Sequence, residues 1–154
     1  MVTKFDVKVM EKIELINSVF DKLGIPRLLE NPDFVLSEIS IEWMAQFKFK
    51  KENCIEIDIE CDENGIDFGL FPHYEAYYLS NEFIRDYKEK FLELIEDIFK
   101  CTIKREVCGK GYTKYYYYNE NGECVRTKKI IGLFYLKRNC VIEEFPPIYL
   151  QYRK

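Results

Sequence analysis

The sequence predicts an α+β fold, and three observations carry that prediction. Apolar and polar residues alternate from Ile39 to Leu70, the period of half-buried strands. Two other stretches repeat their apolar residues every three or four positions, the period of amphipathic helices. An Asn-Gly dipeptide, a strong hairpin signal, stands between alternating runs in each half of the chain. The expected architecture is two amphipathic helices packed on antiparallel meander sheet, in the order α-β-β-β-α-β-β-β with room for one more strand. A single α+β domain is expected to span residues 1–154.

The first helix is expected from about Asp6 to Leu23. Val9, Ile13, Ile16, Phe20 and Leu23 form its apolar stripe, with Lys12, Glu14, Asn17 and Asp21 largely opposite. Asp6 or Thr3 suits the N-cap, and Gly24 followed by Pro26 is a stop signal. An irregular link, residues 25–33, leads to the meander.

The meander occupies residues 38–71. Ile39, Ile41, Trp43, Ala45, Phe47 and Phe49 make one apolar face; Ile55, Ile57, Ile59 and Cys61 repeat it, and Ile66, Phe68 and Leu70 follow. A three-residue loop at Lys51-Glu52-Asn53 would set Phe47 opposite Ile57 and Lys48 opposite Glu56. A two-residue turn at Asn64-Gly65 would set Cys61 opposite Phe68 and Ile59 opposite Leu70. A slip of one residue in either turn would put apolar side chains against charged ones.

The other face of this meander is acidic. Glu56, Asp58, Glu60 and Asp62 project from one strand, the same register brings Asp67 opposite Asp62, and Lys48 alone offers a counter-charge. Same-face residues sit roughly 7 Å apart, so each repulsion costs about 0.6 kcal/mol in water before screening. Folding does not require such a row. It reads either as a solvated face that keeps the chain soluble or as a docking surface for a basic partner.

After Phe71 comes an aromatic loop, PHYEAYYLS, holding the one histidine, His73, and three tyrosines, Tyr74, Tyr77 and Tyr78, suited to anchor a partner. A second helix is expected from Asn81 or Glu82 to Phe99, capped by Ser80 or Asn81, with Phe83, Ile84, Tyr87, Phe91, Leu94, Ile95 and Ile98 as its stripe. The last third reads as β structure: Thr102 to Val107, a turn at residues 108–111, Tyr112 to Tyr118, a two-residue turn at Asn121-Gly122, then Cys124 to Leu136 bent at Gly132. Lys137-Arg138-Asn139 turns the chain towards Val141 to Phe145, and Pro146-Pro147 ends regular pairing.

The Asn121-Gly122 turn would pair Tyr118 with Val125, Tyr117 with Arg126, Tyr116 with Thr127 and Tyr115 with Lys128. Tyr115 and Tyr117 would then lie among Arg126 and Lys128, a pattern that can stack bases and bind phosphates. Tyrosines are also good strand formers that cover bases by cation–π contact, and no RNA- or DNA-binding signature accompanies the patch.

Composition bounds the rest. Of 154 residues, 47% are hydrophobic and 16% aromatic, which excludes disorder. No apolar run approaches the ~20 residues of a membrane span, and Lys4, Asp6 and Lys8 interrupt any signal-peptide core, so the expected place is the cytoplasm with no membrane partner. Lysine outnumbers arginine and Ile, Asn and Tyr are abundant, a composition typical of an AT-rich bacterial genome. The net charge of −4 hides an asymmetry: residues 51–97 hold 14 acids against 4 bases, residues 99–154 hold 5 against 12.

The six cysteines include no C-x-x-C pair, and one histidine cannot complete a Cys/His zinc finger, so free thiols and no metal are expected. His73 beside Glu75 is the one conceivable general base, and a histidine among tyrosines is more often packing. Asp67-Phe68-Gly69 matches the kinase magnesium motif in letters only, since no Gly-rich loop or catalytic loop accompanies it. No phosphate loop, nucleophile elbow, dinucleotide fingerprint or metalloprotease helix is present, and neither catalysis nor a cofactor is expected.

In the Glu56-Asp58-Glu60 row, the aromatic stretch Phe71 to Tyr78 and the lack of enzyme signatures, the chain resembles small cytoplasmic immunity proteins of bacterial polymorphic toxin systems. The resemblance is one of general character across the whole chain and transfers no site residue. It implies a non-catalytic α+β protein whose partner is a basic toxin domain.

Overall fold

A computed structural model describes residues 4–153 of the protein; the side chains of Tyr74 and Glu75 lie outside what it describes, as does the alternative cap Thr3. The fold is α+β with antiparallel sheets throughout. The chain forms two compact units, residues 1–96 and 97–154.

The first unit begins with α1 (Val7–Leu23). Asp6 is its N-cap, its carboxylate accepting from the Val9 N–H at 3.2 Å, and Gly24 closes it in the left-handed conformation. Val9, Ile13, Ile16 and Phe20 are buried as the periodicity requires. Lys12 and Asn17, expected on the wet side, are buried too. Both find partners: the Asn17 Oδ1 accepts from the Leu28 N–H at 2.8 Å, and the Lys12 ammonium donates to the Lys8 carbonyl at 3.2 Å.

Five strands follow in strict sequential order: β1 (Phe34–Leu36), β2 (Met44–Phe49), β3 (Ile57–Asp62), β4 (Gly65–Leu70) and β5 (His73–Ser80). Periodicity predicts the middle three; β1 lacks the length for a period, and β5, expected as a loop, lacks an apolar–polar alternation because Tyr77 and Tyr78 stand side by side. Periodicity also overextends β2: residues 39–43 form turns, and Ile39, Ile41 and Trp43 are exposed rather than core.

Both predicted registers are off by two residues. Phe49, not Phe47, pairs with Ile57, because the connection runs from Lys50 to Glu56 with Asn53 at φ 67°. Cys61 pairs with Ile66, not Phe68, so the tight turn lies at Glu63-Asn64. The Asp62 carboxylate places it there, accepting from the Asn64 and Gly65 N–H groups at 2.8 and 3.0 Å. A shift of two conserves side-chain parity, so Ala45, Phe47, Phe49, Ile57, Ile59, Cys61, Ile66, Phe68 and Leu70 still build one buried face, on which α1 packs through β3.

Gly65 begins β4 rather than ending a turn. A Cβ there would run into the Leu79 carbonyl oxygen of β5, so the glycine serves close backbone approach. Ser80 then caps α2 (Asn81–Asp86), accepting from the Phe83 N–H at 3.2 Å. The expected single helix is broken at Tyr87 (φ −128°, ψ 46°), after which α3 (Lys88–Lys100) carries the buried Phe91, Leu94, Ile95, Ile98 and Phe99.

The second unit is dominated by one long hairpin, β6 (Thr102–Tyr118) and β7 (Cys124–Phe145), closed by a 3-10 turn at Ile148–Tyr152. The expected turn at residues 108–111 does not form; β6 runs through it. Instead β7 bows outward there. Gly111 alone stands against residues 132–135, and Gly109 alone against residues 137–139. Immediately beyond, Cys108 pairs with Cys140 and the two sulfurs form a disulfide. The expectation of six free thiols therefore fails for this pair. Their separation of 32 residues hides the fact that they are cross-strand neighbours.

Candidate functional site

The polar face of the first sheet is built by strand alternation. With Ile57, Ile59 and Cys61 turned inward, Asp58, Glu60 and Asp62 must point the other way, and each is half-buried. The observed register changes their neighbours. Lys48 stands opposite Asp58, not Glu56, and Asp67 stands opposite Glu60, not Asp62. Glu56 lies just before β3 and reaches the exposed Lys50 at 3.7 Å. Asp62 is committed to its turn through two backbone N–H groups, so its role is structural.

The β4–β5 register adds Tyr78, 56% exposed, opposite Asp67. Tyr77 is opposite Phe68, on the core-facing parity, and is not an exposed anchor. The Tyr74 side chain lies outside the described residues. The acidic cluster thus centres on Asp58, Glu60 and Asp67, with Glu56 at its edge and Tyr78 as its aromatic member. Directly opposed side chains in antiparallel strands have Cβ atoms about 5 Å apart, so the Glu60–Asp67 placement brings like charges together. Burial raises the Asp58 carboxyl above its ordinary value; Lys48 draws it back, and Glu56 pushes it further up.

A depression of about 130 Å³ adjoins this cluster, lined by Lys48, Lys50, Glu56 and Asp58 together with Phe71, two bases against two acids. It is too small for a drug-sized ligand, which needs roughly 300 Å³ or more, and suits a single inserted side chain. A wider groove of about 620 Å³ runs beside the start of α1, where Phe5, Val7, Met10 and Leu15 supply apolar lining and Glu11 and Glu14 its charge.

The tyrosine-rich hairpin has the expected register over Tyr115↔Lys128, Tyr116↔Thr127 and Tyr117↔Arg126. It arises differently, from a longer loop compensated by a bulge, so that Tyr118 pairs with Cys124 instead of Val125. The expected open face is nevertheless closed. Tyr115 and Tyr117 are fully buried, which removes them as stacking platforms. Tyr115 lies under the Arg105 guanidinium, which also holds Glu143 at 3.2 Å, and Arg126 pairs with Asp97 at 3.0 Å. The less buried face carries Tyr116 and Tyr118, missed because periodicity alone does not say which face a hairpin buries. Lys114 already covers the first ring at 4.7 Å and Lys104 the second at 4.9 Å.

The remaining candidates contribute little chemistry. His73 opens β5, registered opposite Leu70, and is partly buried. Burial raises the Cys54 and Cys61 thiols, and burial with nearby Asp97 pushes Cys101 up to about 12, so these three are not thiolate nucleophiles. Among the described residues the one compact set of metal-type ligands is Glu106, Cys108 and Cys140, whose sulfurs are bonded to each other. No helix of the described residues is long and apolar enough to cross a membrane. Comparison of the chain with protein-family models, with curated proteins and with solved structures finds no match in any of the three.

Proposed function

We propose that the chain is a non-catalytic protein-binding module whose acidic sheet face receives a basic partner. The observation that carries this reading is the gathering of Asp58, Glu60 and Asp67 on one half-open sheet face, beside the exposed Tyr78, with the opposite face of β3 and β4 fully buried. A gathering of carboxylates on one sheet face presents a negative potential that a cationic partner complements when it binds. The depression beside Asp58 is already served by Lys48 and Lys50, so the charge that such a partner meets lies at Glu60 and Asp67.

The more specific form of the proposal is a bacterial immunity protein that neutralises a basic toxin domain in the cytoplasm. In a reducing cytosol Cys108 and Cys140 would stand as two thiols, and the acidic face includes neither. The test is co-purification with the product of an adjacent toxin-like reading frame, comparing the parent chain with Asp58→Lys/Glu60→Lys. Retention by the parent that weakens with salt, and loss of retention in a variant with unchanged circular dichroism, is the expected result. Equal retention by the folded variant would remove the acidic face from the function.

A further inference from the structure

The outward bow of β7 is the most exposed apolar feature on the described surface. Leu133 is 90% exposed and Phe134 87%, with Ile131, Tyr135 and Leu136 also exposed beside them. Exposure this complete marks a convex tip: on a flat or concave patch neighbouring atoms would shade the side chains. Exposed clusters of this kind mark protein or membrane contact sites.

The tip is built. At its base Tyr112 pairs with Ile131 on one side and Cys108 with Cys140 on the other, the latter fixed by the disulfide. Gly109 admits the returning strand, since a Cβ there would strike the Leu136 carbonyl oxygen. Lys129 and Lys137 lie over the Tyr112 ring at 5.8 and 5.0 Å, one from each arm of the bow.

Charge identifies the occupant. From Arg126 to Arg138 the chain reads RTKKIIGLFYLKR, with bases at both ends, apolar residues between and no acid. Basic arms flanking a convex apolar tip, with Glu106 the acid at the base beside the Cys108 and Cys140 sulfurs, complement a lipid surface, where phosphates meet the bases and the acyl boundary receives the tip. We propose that this bow is a peripheral membrane-contact element. Leu133 and Phe134 enter the interfacial layer of an anionic bilayer while Lys128, Lys129, Lys137 and Arg138 meet its phosphates. The element shares no residue with the acidic face and does not depend on its role.

The test is co-sedimentation of the full chain with vesicles of equimolar phosphatidylcholine and phosphatidylglycerol, and with phosphatidylcholine alone. Binding to the first at low salt, weak binding to the second, and loss of binding as salt rises are expected. Leu133→Ser/Phe134→Ser alters side chains that support no core and is expected to weaken binding about tenfold or more. Phe134→Trp in a Trp43→Phe background is expected to shift its emission to the blue on the anionic vesicles. Absence of sedimentation at low salt would overturn the proposal, as would undiminished binding by the double serine variant. A vesicle-free, concentration-dependent dimer abolished by that variant would also overturn it and assign the tip to a second copy of the chain.

Discussion

Two Asn-Gly dipeptides, Asn64-Gly65 and Asn121-Gly122, look alike in sequence and do different physical work. In the first hairpin the glycine is not in the turn. Asp62 closes the turn one step early, and Gly65 enters β4, where the β5 backbone leaves no room for a Cβ. In the second hairpin Gly122 takes a left-handed φ of 76°, with open space around it. There Asn119 organises the loop, its side chain accepting from the Asn121 and Glu123 N–H groups, both at 3.0 Å. One glycine answers to a neighbour's backbone and the other to its own dihedral angle. The dipeptide predicts a hairpin in both places and the turn in neither, and the pairing it predicts holds only in the second, for Tyr115 to Tyr117.

The largest effect that would test this contrast is Gly65→Ala. A methyl group against a buried carbonyl forces a backbone shift, and a loss of about 3 kcal/mol or more is expected, read from the urea midpoint. Gly122→Ala should cost only about 1 kcal/mol, the penalty of a left-handed alanine. Comparable losses at the two sites would break the contrast.

The hairpins also differ in what holds them. The first lies within a five-stranded sheet, whereas the second is a two-stranded ribbon with a covalent staple. For the oxidised protein, Cys108→Ser/Cys140→Ser should therefore lower stability by about 2–3 kcal/mol, with hydrogen exchange accelerated in residues 104–143. Next in size are the turn side chains. Asp62→Ala and Asn119→Ala each remove the acceptor of two backbone N–H groups at or near the surface, and each is expected to cost about 0.5–1.5 kcal/mol.

Asp58→Asn has the smallest expected effect, and its sign is the informative part. Burial holds the Asp58 carboxyl above its ordinary value of 3.8. Its contribution to stability is then fully present below that value and lost as pH rises through the folded one. The asparagine variant should be slightly more stable than the parent at neutral pH, by no more than about 0.5 kcal/mol because water screens a half-exposed carboxylate. The gain should vanish in acid. A loss at neutral pH would mean that the carboxylate is needed as a charge.

The α+β class, α1 and its Asp6 cap, the Ser80 cap and the buried faces of β2, β3 and β4 were all readable from residue periodicity, because parity and helical spacing survive an error of two residues in register. The register itself was not, since it depends on whether Asp62 or Asn64-Gly65 closes the turn. β5 escaped because its tyrosines occupy both faces, and the disulfide because pairing across a hairpin bears no relation to cysteine spacing. Of the acidic cluster, the residues were readable but their neighbours were not. Glu60 facing Asp67, and the withdrawal of Asp62 into its turn, follow from the register. The β7 bow left only one trace in the sequence, the cluster of Gly109, Gly111 and Gly132, which reads as bends until the opposing strand is known.

The sequential order of β1 to β5 has a kinetic consequence. Every strand of that sheet pairs only with its neighbours along the chain. Each hairpin can therefore zip onto the last without waiting for a distant segment to diffuse into place, and low contact order of this sort speeds assembly. The sheet should form on the fast side for its β content, strand by strand as the chain becomes available.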